Sequence, residues 1–425
     1  MSDDGTPPIS RRTLIVGAAA AAGGTLLARL PLTDAAGAQA PAQPAPTPAA
    51  PAAPADPSRV LGAPTSAVSV RSPFETPART PTGFVTGPSF SPIHRFEGTI
   101  TPTDLHFERH HGGVPTIDPA RHRLLVHGLV ERPLVFSMDE LKQLPAVSRI
   151  CFLECSGNGR SAYRNAKREL SPQDIDGLTG NSEWTGVLLS TLLREAGVRS
   201  DAKWMIAEGG DGPKLSRSIP IEKALDDAIV AYAQNGEPMR PSSGYPVRLV
   251  LPGWEANTCI KWLRRLELVD APRMFRDETS KYTDPLPDGT ARQFSFEMDA
   301  KSIITHPSYP DRIAKPGWVQ ITGLAWSGRG KIDRVDVTTD GGRSWTVAEL
   351  QAPVLSKAHT RFRLMWEWDG KPTSLMSRAV DETGYVQPRL ADFRRVRGNG
   401  TDFHFNAIRG WTVEADGRVF FGVDV

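Results

Sequence analysis

The sequence predicts an α+β protein: a mixed α/β domain over residues 93–299, followed by an immunoglobulin-type β-sandwich over residues 300–425. Three observations lead there. Short apolar strands at 123–126, 148–153, 203–207 and 247–251 are separated by compact helices with legible starts and stops. From about Lys301 the texture turns to strand alternation, in 318–324, 332–338, 344–350 and 361–368, with the turn Asp340-Gly-Gly342 between two of these runs. Ahead of both lies a stretch too rich in proline and alanine to build a core.

Taken in order, residues 1–38 have the form of a twin-arginine export signal. Ser10-Arg-Arg-Thr-Leu-Ile-Val16 opens a small-residue apolar run over 17–30, and Ala36-Gly-Ala38 is a cleavage box. The uncharged run is shorter than the roughly 20 residues a membrane span requires. The expectation is therefore a periplasmic protein with no membrane span after signal removal. This pathway moves folded chains, which suits a protein loaded with a cofactor before export. Residues 39–92 form a Pro/Ala-rich extended arm, semi-rigid, able to lie over a neighbour but without a core of its own. In the α/β region Ser137-Met-Asp-Glu140 reads as a capping box closed by Pro145. Over 187–196, Leu188, Leu189, Leu192 and Leu193 share a helix face that ends at Gly197.

Composition narrows the function. Fifty Lys and Arg against 48 Asp and Glu leave no basic excess for a general nucleic-acid binder. Three cysteines, at 151, 155 and 259, are too few for a disulfide framework, and with no Cys-x-x-Cys-His there is no covalent haem in this chain. Cys155 stands out. The apolar run Ile150-Cys-Phe-Leu-Glu154 ends in this thiol, and Ser156-Gly-Asn-Gly159 and Arg160 follow at once. Glycines allow a ligand to approach the backbone, and a neighbouring guanidinium favours thiolate. The residue itself reads as a metal ligand or a nucleophile, against a plain strand-end cysteine. Cys151 and Cys259 read as core residues.

Four clusters recur in register: Phe107-Glu-Arg-His-His-Gly-Gly-Val-Pro115, Cys155-Ser-Gly-Asn-Gly-Arg160, Asn181-Ser-Glu-Trp-Thr-Gly186, and Gly244-Tyr-Pro-Val-Arg-Leu-Val-Leu-Pro252 with Ile260-Lys-Trp-Leu263. Together they resemble the sulfite oxidase family of molybdopterin oxidoreductases. The likeness covers nearly all of residues 93–425, and within the family it is nearest the branch that oxidises sulfane sulfur in bacterial thiosulfate oxidation. The resemblance implies a molybdopterin-binding catalytic domain at 93–299 and a dimerisation domain at 300–425. It implies Cys155 as the thiolate ligand of molybdenum, Arg109 and Arg160 as holders of an oxyanion, Tyr282 as the active-site tyrosine and Trp184 as a pocket wall. Phe107, Arg109, His110, His111, Asp211, Arg248, Lys261 and the adjacent Cys259 would hold the molybdenum–molybdopterin cofactor. His110, Gly159 and Ser243 stand where the family more often carries asparagine, arginine and histidine. Loss of a cation beside the pocket fits a persulfide on a sulfur-carrier protein better than free sulfite.

The implied activity is molybdenum-dependent oxidation of protein-bound sulfane sulfur. With no haem motif, a c-type cytochrome subunit is the expected acceptor, in a homodimer through the C-terminal domain or a heterotetramer. The alternatives are a periplasmic sulfite dehydrogenase, a sulfoxide reductase, and a zinc or cysteine hydrolase.

Overall fold

The computed structural model describes residues 56, 59, 61–164 and 166–422. The expected export signal and the first part of the arm, residues 39–55, lie outside the described residues. The chain divides into two compact units, Met1–Val70 and Arg71–Val425. Residues 61–70 of the first are exposed and form neither helix nor strand.

The α/β region is built on two sheets. In one, strands Glu237–Pro238, Ile229–Gln234, Thr179–Leu188 and Ala146–Glu154 lie in that order, and Arg248–Val250 also pairs with Ile229–Gln234. In the other the order is Leu134–Phe136, Leu124–Gly128, Leu263–Val269, Trp204–Gly209 and Ser216–Pro220. Between them lies one apolar core, to which Leu124, Leu153, Val187, Met205, Leu249 and Leu266 contribute. The helices start and stop where their side chains dictate. Ser137 accepts from the Glu140 amide while Glu140 reaches back to the Ser137 amide, capping Met138–Gln143. Leu189–Ala196 buries Leu189, Leu192, Leu193 and Ala196, and ends in a left-handed Gly197. Leu188 belongs instead to the preceding strand.

The C-terminal part is a β-sandwich of two antiparallel sheets. One runs Lys301–His306, Gly317–Trp326, Thr360–Trp368, Glu349–Gln351, and the other Thr346–Val347, Ile332–Thr338, Thr373–Asp381, Gly410–Val413, Val419–Gly422. Its core includes Ile303, Leu324, Trp326, Val335, Phe362 and Trp411.

Strand Ala146–Glu154 belongs to both halves. Cys151 and Leu153 join the α/β core while Phe152, between them, joins the sandwich core. Successive side chains of a strand point to opposite faces. Glu154 therefore faces the sandwich with Phe152, and Cys155 emerges on the side of Leu153.

The end of the arm is less free than its composition suggests. Strands Thr80–Pro81 and Pro88–Phe90 pair with one another, and Pro88–Phe90 pairs with Glu108–Arg109. Proline is tolerated there because Thr80–Pro81 is an edge and Pro88 is the first residue of its strand. Ser89 and Ser91 are buried in consequence.

Candidate functional site

Cys155 opens onto a cleft of about 720 Å³, its outer part continuous with solvent. Four stretches of chain meet the cysteine there: residues 106–111, 242–248, 256–262, and Asp211 with Leu215; Tyr282 completes the wall. The Cys155 amide donates to Leu178 O at 3.0 Å, and the Asn158 amide returns to Cys155 O at 2.9 Å, so the thiol sits at the head of a tight turn. Gly159 ends that turn with φ +89°, and a Cβ on it would lie 2.5 Å from Arg409 Nη2. A side chain at 159 would be strained and would press on Arg409 and Phe405. The Cys155 thiol is pushed up by burial, against the opposing pull of the Gly157 amide and of Arg109 and Arg160. Burial thus outweighs the neighbouring Arg160 guanidinium that the sequence suggested would hold the sulfur as thiolate.

The segment 107–111 is fixed by one lysine. Lys261 Nζ donates to Arg109 O at 3.1 Å, to Ser242 O at 3.0 Å and to His110 Nδ1 at 2.6 Å, which uses all three of its protons. His110 then carries its proton on Nε2 and donates it to Glu108 Oε2 at 3.0 Å. Burial acts to raise the Glu108 carboxyl, but His110 and Arg79 hold it at about 2. Burial also lowers the Lys261 ammonium, helped by nearby Arg248. Arg109 is clasped to Thr86 O at 2.7 Å and to His110 O. Opposite, the Tyr282 hydroxyl meets His111 Nε2 at 3.0 Å. Burial raises the phenol and lowers His111 to about 4, so at neutral pH the tyrosine keeps its proton and donates it to the ring.

The structure places ten of the twelve residues singled out from the sequence on the cleft: Cys155, Arg109, Tyr282, Phe107, His110, His111, Asp211, Arg248, Cys259 and Lys261. Two lie off it. Trp184 is fully buried in the α/β core, where its Nε1 donates to Cys151 O at 3.3 Å; it supports the cleft by carrying the Arg248 guanidinium 5.0 Å above its ring. Arg160 turns to the rim, donating to Asp402 O at 2.9 and 3.2 Å, with its guanidinium 5.5 Å from the Phe403 ring. Sequence reasoning passed over His106, Ser242, Asn257 and Trp262, which also line the cleft. For Asn257 a signal existed, since it lies within Glu255-Ala-Asn-Thr-Cys-Ile-Lys261, next to two residues already chosen. Ser242 offers its carbonyl, which no side-chain pattern reveals.

The donor set fits an anionic, sulfur-ligated cofactor. A soft thiol suits molybdenum, and cations and backbone amides around glycine suit a phosphate ester. His106 Nε2 and Arg248 Nε, both on cleft-lining residues, are buried without a hydrogen-bond partner, which leaves polar capacity for a ligand. Among the described residues no group of three or more His, Cys, Asp or Glu is placed to hold a metal ion. The cleft histidines are hydrogen-bonded to Phe107, Glu108, Lys261 and Tyr282, and none of these bonds goes to Cys155. A zinc or cysteine hydrolase draws no support from this arrangement.

Fold and site together fit a molybdopterin-binding oxidoreductase. The family described as "Oxidoreductase molybdopterin binding domain" matches residues 111–276, and "Mo-co oxidoreductase dimerisation domain" matches residues 292–409. The structure of the sulfane dehydrogenase SoxCD from Paracoccus pantotrophus is similar with a TM-score of 0.83 and 45% identity, over 86% of this chain and 96% of that one. Mouse mitochondrial sulfite oxidase is 32% identical over 332 residues, 71% of this chain and 60% of that protein. The NADH nitrate reductase of Ulva prolifera is 31% identical over 362 residues, 76% of this chain; the match spans 42% of the reductase's own length. The chain belongs to the sulfite oxidase family of molybdopterin oxidoreductases.

Proposed function

We propose that this protein oxidises sulfane sulfur held as a persulfide on a carrier protein, and passes the electrons to a separate c-type cytochrome subunit. The reading rests on the likeness to a sulfane dehydrogenase over 96% of that chain. The cleft supports it: position 159 carries no cation, and Arg160 is engaged by Asp402 at the rim. That leaves a less positive approach to Cys155 than a small dianion such as sulfite would favour. The mouse sulfite oxidase likeness favours the second reading, a periplasmic sulfite dehydrogenase.

Cys155 would hold the metal, and Phe107, His110, His111, Asp211, Arg248, Cys259 and Lys261 the pterin. When bound, the cofactor supplies oxygen-atom transfer to sulfur and takes up two electrons. The chain's own residues orient the substrate and manage charge and protons. Arg109, fixed through Thr86 O and His110 O, presents its guanidinium to developing S–O charge. Tyr282 holds a proton at its hydroxyl against His111 Nε2, within reach of a reacting oxygen in the cleft.

In the same reading residues 1–38 are a twin-arginine signal, 39–92 an arm, 93–299 the catalytic domain and 300–425 the dimerisation domain of a periplasmic enzyme, with haem confined to the partner. The test is molybdenum analysis of the purified protein, followed by cytochrome c reduction with a persulfide-bearing carrier protein and with sulfite. Faster turnover of the persulfide is expected; rapid turnover of sulfite alone would establish the second reading, and a molybdenum-free active protein would end both.

A further inference from the structure

Behind the cysteine turn, on the side away from the cleft, lies a buried chain of four charges that the proposed chemistry does not use. Lys301 Nζ meets Glu154 Oε1 at 2.5 Å and Asp176 Oδ1 at 3.7 Å, and Arg409 Nη1 meets Asp176 Oδ2 at 2.9 Å. Their side chains are at most 3% exposed. Two carboxylates and two cations balance. Trp326 Nε1 adds a bond to Glu154 Oε2 at 2.7 Å. Lys301, Trp326 and Arg409 come from the sandwich, while Glu154 and Asp176 come from the α/β region.

Replacing a buried ion network by apolar side chains of similar volume is often neutral or stabilising, so stability alone does not account for one. The contacts of this network suggest another purpose, because it grips the cysteine turn at three points. Glu154 directly precedes Cys155. Asn158 donates to Glu154 Oε1 at 2.9 Å and accepts from the Leu178 amide at 3.0 Å. Arg409 Nη2 fills the space that a Cβ on Gly159 would take. The turn is thus held by hydrogen bonds at Glu154, from Asn158 and, on the sandwich side, from Lys301 and Trp326, which fix direction as well as distance, and by close ion pairs at Asp176, whose oxygens make no hydrogen bond.

We propose that Glu154, Lys301, Asp176 and Arg409, with Trp326, are positioning residues that set the place of the Cys155 sulfur from the sandwich side, so that the C-terminal domain governs the geometry of the metal site as well as association. This rests on the reading of Cys155 as the metal ligand.

The test uses the full chain, produced with molybdenum, as Glu154→Gln, Lys301→Met, the pair together, and the gentler Trp326→Phe. Each single charge change leaves a buried partner uncompensated and lowers Tm; the pair recovers most of that loss. Positioning predicts that the pair nevertheless shifts the electron paramagnetic resonance of the bound molybdenum and lowers kcat at least tenfold, with KM within twofold of wild type. Trp326→Phe should move the same readouts in the same direction by about threefold, and it serves alone should the pair not fold. In chain produced without molybdenum, iodoacetamide should alkylate Cys155 of these variants at least threefold faster than wild type, with buried Cys151 and Cys259 unchanged. Wild-type resonance, kcat and alkylation rate in the variants would reduce the network to a structural contact and overturn the proposal. A wild-type chain that takes up no molybdenum would instead sink the reading of the metal site, while the alkylation comparison still decides whether the network positions the sulfur.

Discussion

At the scale of single residues, the two cysteines of strand Ala146–Glu154 and its end make opposite predictions. Cys155 lines the cleft, whereas Cys151 is 2% exposed within the α/β core, where burial pushes its thiol far up. Cys155→Ser should fold and abolish cytochrome reduction; wild-type turnover in that variant would remove metal ligation from the account. Cys151→Ser should cost about 1 kcal/mol in a denaturant melt and leave turnover intact. Three histidines, His106 and His359 buried and His111 half-buried, make a second prediction. Burial lowers His106 and His111 to about 4 and His359 to about 3, each from an ordinary value near 6.5. The unfolded chain binds those protons more readily, so their contribution to stability is full above pH 6.5 and is lost as pH falls from 6.5 toward 4. Tm measured across that window should drop, and His359→Gln should flatten the slope; a flat wild-type profile would show that these rings are not held as neutral groups.

At the scale of elements, local chemistry was legible wherever it is written within a few residues. The Ser137 capping box, the Gly197 stop and strand Ile332–Thr338 follow from local patterns, whereas the run 344–350, read as one strand, is split into Thr346–Val347 and Glu349–Gln351 on different sheets. A second capping box, Ser171 with Asp174 and Pro172 between them, carried the same signal and was passed over. Strands Thr179–Leu188 and Leu263–Val269 were harder to see. In the first, Gly180, Asn181, Ser182 and Thr185 interrupt any apolar pattern, and pairing on both sides, with Ala146–Glu154 and Ile229–Gln234, imposes the strand. The candidate site was legible through its motifs, because ten of the chosen residues share one cleft. Arg160 and Trp184 lie off that cleft, since sequence gives adjacency to Cys155 but not the Asp402 acceptor or the depth of the core. The cysteine turn supplies a prediction here. Gly159→Ala should lower Tm by the equivalent of about 1–3 kcal/mol, from left-handed strain and contact with Arg409; an unchanged melt would mean that the turn relaxes freely.

At the scale of the whole molecule, the sandwich offers an apolar surface for association. Gln320 and Met365 are register partners, as are Trp318 and Glu367, so Trp318 and Met365 lie on one face of adjacent strands, 67% and 53% exposed. Adjoining exposed apolar side chains on one sheet face are where an association surface is sought first. Trp318→Lys with Met365→Glu should convert a dimer to monomer in sedimentation analysis while sparing molybdenum content; an unaltered dimer would place the interface elsewhere. The strand shared by both cores has a different kind of consequence. Because its odd positions serve the cleft side and its even positions the sandwich, it can accept many substitutions but no change of length. One residue added or lost before Phe152 would exchange the faces, sending a carboxylate toward the cofactor and a thiol toward Lys301. Apart from Glu154, the strand tolerates replacements that keep each face's character but not a change of count, so divergence in this family should place insertions only in the turns beyond.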